Sequence, residues 1–275
     1  MKRVSVILPV TRPKKAREAI SLVKKQKRPG FFLEIIAVDD KKRLSPARRR
    51  NLGARRARGD ILVFLDDDCL PRGGWLKAVA ESLADDKMGA AGGQVRGKSK
   101  RYFARSVDFA CFTFEQGEKR RKTAVSSSCL VIKKETFGKM GGFDESLRIG
   151  EDADLCQRLK KAGLETVYEP KIRVWHRHGR KTLSALLAYQ FHNGKVKGLT
   201  IEKRYQNSFP ARFLSQISFP GIYGFFVLPL ATLATAVTLA VNFRDRPEVF
   251  LYLPGIFLGK LALQTGVFVW TLKEL

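Results

Sequence analysis

The chain has 275 residues, 52 of them Lys or Arg and 26 Asp or Glu, for a formal net charge of +26. Residues 212–275 hold only five of the basic and three of the acidic groups, so nearly all of the charge lies ahead of an apolar C-terminus. Such a length accommodates one large α/β domain with an appendage. Such a charge suits nucleic acid, an anionic membrane leaflet or phosphorylated ligands. The chain lacks a long basic tail, a Cys/His zinc pattern and an RNP-type aromatic motif, which sets nucleic acid aside, and the apolar C-terminus favours the membrane. Cys69, Cys111, Cys129 and Cys156 are scattered without a Cys-x-x-Cys pair and read as structural thiols of a reducing compartment. The first uncharged run after Met-Lys-Arg is too short for a secretory signal.

Val4 to Val10 predicts a core strand ending at Pro9, Val10 and Thr11. Lys14 to Lys27 places Ala16, Ala19, Ile20 and Val23 at helical spacing. Phe32 to Val38, broken only by Glu34, predicts a mostly buried second strand that runs into Asp39 and Asp40. A basic helix follows over Ala47 to Arg58, and then Ile61 to Leu65 runs into Asp66, Asp67 and Asp68 before Pro71, Gly73 and Gly74. This alternation predicts a mostly parallel sheet with flanking helices, whose ligands collect at the carboxyl ends of the strands. Two strands ending in acids build one acidic rim there. Adjacent carboxylates repel unless a cation or a donor-rich ligand sits between them. If the chain stays extended, Asp66 and Asp68 face one way, and oxygen ligands suit Mg²⁺ or Mn²⁺. A helix N-cap needs only one Asp. Arg48, Arg50 and Asn51 start the basic helix near the rim, where they would reach ligand phosphates, whereas Arg55, Arg56 and Arg58 read as a solvated face.

Further on, a short helix is expected over Gly74 to Leu83 and a strand over Gly89 to Val95. Lys98 to Lys122 has a mixed period and reads as second core of the same domain in preference to a helix on the membrane surface. Ala124 to Ile132 predicts a strand carrying Ser126, Ser127 and Ser128, and Gly141 to Leu147 a turn. Leu155, Leu159 and Ala162 mark a helix from about Glu151 to Gly163. Glu151, Asp152 and Asp154 stand in its first turn, where the helix dipole favours anions. They cap the helix, as we read Asp154, or supply a general base. Glu165 to Glu169 and Ile172 to Trp175 predict two short strands leading to His176 and His178, of which one is a candidate metal ligand, better suited to Mn²⁺ than to Mg²⁺.

The pieces SVILPV, VDD at 38–40, the run from Arg50 to Pro71, GGFDESL at 141–147, GEDADLCQRLKKAG at 150–163 and the later WHRH come in an order that resembles the family-2 glycosyltransferases over residues 4 to about 180. The resemblance implies the GT-A nucleotide-sugar fold, an inverting transfer, and Mn²⁺ or Mg²⁺ as cofactor. It implies that Asp40, beside Asp39, binds the donor's base with Pro9, Val10 and Thr11 around it. Asp66 and Asp67 would face the nucleotide and sugar, with Arg50 and Asn51 nearby. Asp68 would hold the metal, His176 would complete its site, and Asp152 would deprotonate the acceptor. Two pieces depart from the family pattern: VDDKKRLSP replaces VDDGSxD, and Ser126 to Cys129 replaces a stretch often rich in glycine.

Thr182 to Tyr205 predicts a basic helix. Ile217 to Phe243 has no charge and is long enough to span a bilayer, and Val249 to Leu272 is a second span interrupted by Lys260 and Gln264. The expected organisation is a catalytic domain over 1–180, a membrane-proximal basic helix over 181–212 and a transmembrane hairpin over 213–275. The basic residues before the hairpin place a multi-pass protein in the cell membrane with its catalytic domain in the cytoplasm. The partners expected are a UDP- or GDP-sugar, a lipid-linked or glycan acceptor and an anionic membrane. A polyprenyl-phosphate glycosyltransferase and a non-catalytic basic membrane scaffold or nucleic-acid binder are the alternatives.

Overall fold

The computed structural model describes residues 2–39, 44–111, 120–122, 124–147, 149–205, 220–243 and 247–273. Two compact units emerge. One comprises Met1–Lys98 and Glu115–Arg177, the other Ser99–Phe114 and His178–Leu275.

The first unit is a mixed sheet. Strands β1 (Lys2–Pro9), β2 (Phe31–Val38) and β3 (Ile61–Leu65) are parallel, linked by helices α1 (Pro13–Lys24) and α2 (Pro46–Arg56). Short β4 (Cys69–Pro71) and helix α3 (Trp75–Glu81) lead to β5 (Met88–Gly97). Among the described residues the sheet order is β2-β1-β3-β7-β5-β8-β4, where β7 is Cys129–Lys133 and β8 is Glu165–His176; β6 (Arg120–Lys122) pairs with β8 off this path. Strand β7 runs antiparallel to both of its neighbours, so the sheet is parallel only in its first half and across β5–β8. Strand β2 is half-buried because it lies at the sheet's edge, which corrects the expectation of a mostly buried strand.

Alternation along the strands supplies two core faces. Val4, Val6, Leu8, Val63 and Leu65 pack with Trp75, Leu76 and Val79 on one side. Ile7, Leu62, Phe64, Leu130 and Ile132 pack with Phe137, Phe143, Leu155 and Leu159 on the other. Gly53 lets α2 lie close on β1, since a Cβ there would stand 2.4 Å from Ile7 Cγ2. Cys69, Cys129 and Cys156 are free and buried, as structural thiols should be; burial pushes Cys129 up to about 12 and Cys156 to about 11. The two strands expected between Glu165 and Trp175 are one long strand, β8.

Helix α5 (Lys134–Lys139) follows β7, and α6 (Glu151–Lys161) begins after Gly150, whose φ of 85° is the left-handed turn a glycine takes without strain. The serines expected within a strand stand ahead of β7, with Ser127 and Ser128 in a turn. Their polar groups are engaged locally: Ser126 Oγ accepts from the Ser128 N–H, and the Ser127 N–H donates to Asp152.

The second unit is helical. It contains α4 (Tyr102–Cys111), α7 (Leu183–Tyr205), α8 (Pro220–Phe243), a 3-10 turn over Pro247–Tyr252 and α9 (Leu253–Lys273). Helix α4, read from sequence as core of the first domain, packs here instead. Ser106 lies against Gly255, Phe109 stacks on Tyr252 with centroids 5.5 Å apart, and Lys260 Nζ donates to the Ala110 carbonyl at 2.7 Å. That last bond satisfies the charge that interrupts the apolar run, at a helix C-terminus where a cation is favourable. Helices α7 and α9 meet through glycines: a Cβ on Gly194 would stand 2.0 Å from the Leu263 carbonyl oxygen, and one on Gly266 2.1 Å from that of Phe191. Among the described residues, one helical segment, 247–270, is long and apolar enough to cross a membrane by length and composition; the apolar stretch described in α8 is the shorter Pro229–Ala240.

Candidate active site

Asp66, Asp67 and Asp68 stand where β3 ends. The chain does not stay extended there: it turns at Asp67 and Asp68, so the three carboxylates take three different sets of partners. Asp67 points inward and is buried. Its Oδ2 accepts from the N–H and hydroxyl of Thr11 and the N–H of Arg12, while its Oδ1 accepts from Nε and Nη2 of Arg12. Five donors on one carboxylate fasten the entrance of α1 to the end of β3. Asp66 turns the other way, to Nη2 of Arg50 at 2.7 Å.

Asp68 is buried. His176 Nε2 lies 3.3 Å from Oδ1; Arg12 Nη1 and Lys15 Nζ lie 2.7 and 3.7 Å from Oδ2. Burial alone would raise the Asp68 carboxyl, but His176, Arg12 and Lys15 outweigh it and hold it well below the carboxylate range. His176 arrives here because β4 and β8 are antiparallel with Cys69 opposite His176. Asp68, Cys69 and His176 offer ligand atoms within 4.8 Å of one another. Carboxylate oxygen and imidazole nitrogen fit Mn²⁺ or Mg²⁺. Burial, with Asp66 and Asp68 nearby, pushes the Cys69 thiol up. His178 is committed elsewhere: in the second unit its Nε2 meets Asp108 Oδ1 at 3.0 Å, and its Nδ1 accepts the Arg180 N–H.

Asp152 stands in the first turn of α6, accepting the N–H of Ser127 at 2.9 Å on one oxygen and that of Ala153 at 2.8 Å on the other. Its neighbour Glu151 is buried, bound by Arg50 Nη1 at 2.7 Å and by the Ser127 hydroxyl at 3.3 Å. Burial pushes the Glu151 carboxyl up against the pull of Arg50. Arg50 is thus spent on two carboxylates. Asn51, buried, holds the backbone of Phe143 through both ends of its amide, and its Nδ2 also reaches Glu145. Both residues, expected near the ligand, are here bound within the protein.

Pro9 and Val10 are buried, and the Val10 N–H donates to the Val38 carbonyl. Asp39 lines a cavity of about 560 Å³ with Val38, Leu44, Arg48, Leu52 and Arg55. Asp40 lies outside the described residues. The sequence reading gave no site role to Arg12, Lys15 or Ser127; Arg12 caps the start of α1 and Lys15 stands in its first turn.

Residues 3–191 match the family described as glycosyltransferase like family 2. The chain belongs to that family. Over 164 residues it is 30% identical to the pre-mycofactocin glycosyltransferase of Mycobacterium tuberculosis, spanning 57% of this chain and 35% of that one. Over 59 residues it is 44% identical to the N-acetylglucosaminyl-diphospho-decaprenol L-rhamnosyltransferase of the same organism, spanning 21% and 19%. The match therefore spans about a third of the first relative's length and a fifth of the second's. The structure is similar to that of the mannosyltransferase PcManGT from Pyrobaculum calidifontis in complex with GDP-Man and Mn²⁺, with a TM-score of 0.60 at 17% identity over 99% of this chain and 87% of that one. The fold is the GT-A fold. In this family-2 chain the end of β3, the end of β8 and the start of α6 carry the three groups of candidate residues.

Proposed function

We propose that the protein is a membrane-associated, metal-dependent inverting glycosyltransferase that moves a sugar from a UDP- or GDP-linked donor to a hydroxyl of a lipid-linked or other membrane-held glycan. The observation that carries this reading is a buried, ionised Asp68 beside His176, with a second, separate carboxylate, Asp152, at the start of α6. A bound Mn²⁺ or Mg²⁺ would supply neutralisation of the charge left on the departing nucleoside diphosphate. Asp68 and His176 hold it. Asp66, fixed by Arg50, faces the nucleotide and sugar. Asp152 takes the proton from the acceptor hydroxyl as the new C–O bond forms and the bond to the diphosphate breaks. Two backbone N–H donors keep that carboxylate oriented.

The acceptor class rests on the membrane features and on a relative whose name gives a diphospho-decaprenol acceptor. Exposed Leu230, Leu233 and Val237 make an apolar stripe along α8, Leu251 is exposed in the turn that follows, and 247–270 is long enough to span. A hairpin of α8 and α9 would hold the enzyme at the membrane in two passes, with its basic domain in the cytoplasm where nucleotide sugars are.

The test is a panel of UDP- and GDP-sugars incubated with the purified full chain, with and without Mn²⁺. Release of nucleotide from at least one donor, dependent on the metal, is the expected result. Failure of every donor to bind or turn over would leave the non-catalytic scaffold as the better account.

A further inference from the structure

The sheet of the first unit ends in β8 and β4. Alternation along β8 buries Ile172, Val174 and His176 and leaves Lys171, Arg173 and Trp175 on the other face. There the two cations are exposed and Trp175 is half-buried. Arg96 of β5 stands opposite Trp175 in the register, and Arg72, just past β4, donates its N–H to the Arg173 carbonyl. The Arg72 and Arg96 guanidiniums lie over the Trp175 ring, 4.9 and 5.9 Å from its centre. Elsewhere in this unit Arg3, Arg58 and Arg121 each meet a carboxylate, of Asp60, Glu34 and Glu165. Among the described residues, Arg72, Arg96, Lys171 and Arg173 meet none. Four like charges therefore share one face, and the π-system of a single ring offsets only part of their repulsion.

We propose that this face, centred on Trp175, is where the catalytic unit docks on the anionic headgroups of a membrane leaflet. The inference rests on the membrane reading of the chain and adds to it a surface separate from the apolar helices. Charge complementarity carries it. Lys and Arg beside an anionic leaflet gain from its surface potential, and the planar fork of Arg matches a lipid phosphate. Trp175 has the ring and the N–H donor that suit a headgroup layer, where one end of a side chain is apolar and the other wet. A nucleic acid would match the charge equally well. With Arg72 over its face and the ring half-buried, however, Trp175 is a poor stacking platform for a base. Trp175 immediately precedes His176, so docking here holds the strand of the metal site against the leaflet that carries the acceptor.

The experiment places the full chain in nanodiscs of phosphatidylcholine alone or rich in phosphatidylglycerol, and treats both with phenylglyoxal, an uncharged arginine reagent. Mass spectrometry follows modification at Arg72, Arg96 and Arg173, with exposed Arg28, ahead of β2 at the other edge of the sheet, as reference. Modification of the three is expected to slow severalfold in the anionic discs while that of Arg28 is unchanged, and high salt should reverse the slowing. A variant with both Lys171→Gln and Arg173→Gln, two exposed positions, should lose most of the protection at Arg72 and Arg96. Equal rates in the two kinds of disc, or equal slowing at Arg28, would overturn the proposal while leaving the membrane reading and the metal site standing. Protection by single-stranded RNA or pyrophosphate in neutral discs, without protection by anionic lipid, would overturn it in favour of a soluble polyanion. A chain that does not stay in nanodiscs of either composition would overturn the membrane reading itself, and this inference with it.

Discussion

Arg50 Nη1 meets Glu151 Oε1 at 2.7 Å across 101 residues of sequence, and its Nη2 holds Asp66 at the same distance. One buried guanidinium therefore ties the acidic end of β3 to the start of α6, with the Phe143 ring against it at 5.8 Å. Burial works against its charge, and Asp66 and Glu151 more than restore it. Removing one partner of such a buried arrangement leaves uncompensated charge, at a cost of about 3–5 kcal/mol. Arg50→Met should destabilise the protein by that order, and adding Glu151→Gln should recover part of it. Denaturant unfolding of the two single variants and the double variant measures the coupling; strictly additive effects would show that the pair does not act as a unit.

The metal reading gives an ordered set of losses. Asp68→Ala and His176→Ala should each abolish Mn²⁺-dependent binding of a nucleoside diphosphate while the fold survives. Asp66→Ala should weaken binding less, since Asp66 faces Arg50 and not His176. Titration calorimetry with and without EDTA distinguishes these outcomes. Undiminished binding by Asp68→Ala would rule out its assignment.

Asp152 separates two acceptor chemistries. A sugar hydroxyl must lose its proton as the bond forms, so Asp152→Asn should lower transfer by a factor of about 10² to 10⁴ at saturating donor. Donor affinity should hardly change. A polyprenyl phosphate is already an anion at neutral pH and needs no base, so near-wild-type transfer by the variant would favour that acceptor over the one proposed.

Away from the site, Glu34 offers a pH test. It accepts from the Ser5 hydroxyl, the Arg58 N–H and the Arg58 side chain. Burial alone would raise its carboxyl, but these partners hold it below the ordinary value. A carboxyl depressed in the folded state stabilises above its unfolded pKa, and that contribution is lost as pH falls through the folded value. Glu34→Gln should therefore be less stable than wild type near pH 7, by about 1 kcal/mol. The gap should narrow as pH is lowered from 7 towards 3. A gap independent of pH in thermal melts would contradict the sign.

In the helical unit, Gly194→Leu should separate α7 from α9, because backbone lies within 3 Å of any Cβ placed there. Limited proteolysis of the variant in detergent should cut α7 or α9 where the wild type resists. An unchanged digestion pattern would mean that the helices tolerate a wider spacing.

The sequence by itself determined the order of elements, because a strand ending in carboxylates, a basic helix and a helix opening on Glu151 and Asp152 are local patterns of spacing and charge. It also marked Asp66, Asp68, Glu151, Asp152, His176 and His178 as candidates by residue type and position, and the resemblance to the family singled out Asp68, Asp152 and His176. What it left open depended on contacts between distant segments. His176 and His178 are equivalent on paper; the antiparallel register of β4 on β8 takes His176 to Asp68, while His178 pairs with Asp108. Asp66, Asp67 and Asp68 read as one acidic cluster until the turn sends them to Arg50, Arg12 and His176 in separate directions. Arg50 and Asn51 looked free to meet a ligand because their partners, Glu151 and Phe143, come about 90 to 100 residues later. Helix α4 looked like core of the first domain, because its apolar face says only that it must be buried and not against what. Local pattern fixes which residues must be buried, paired or capped, but only the tertiary arrangement brings a buried charge to the partner that makes its burial tolerable.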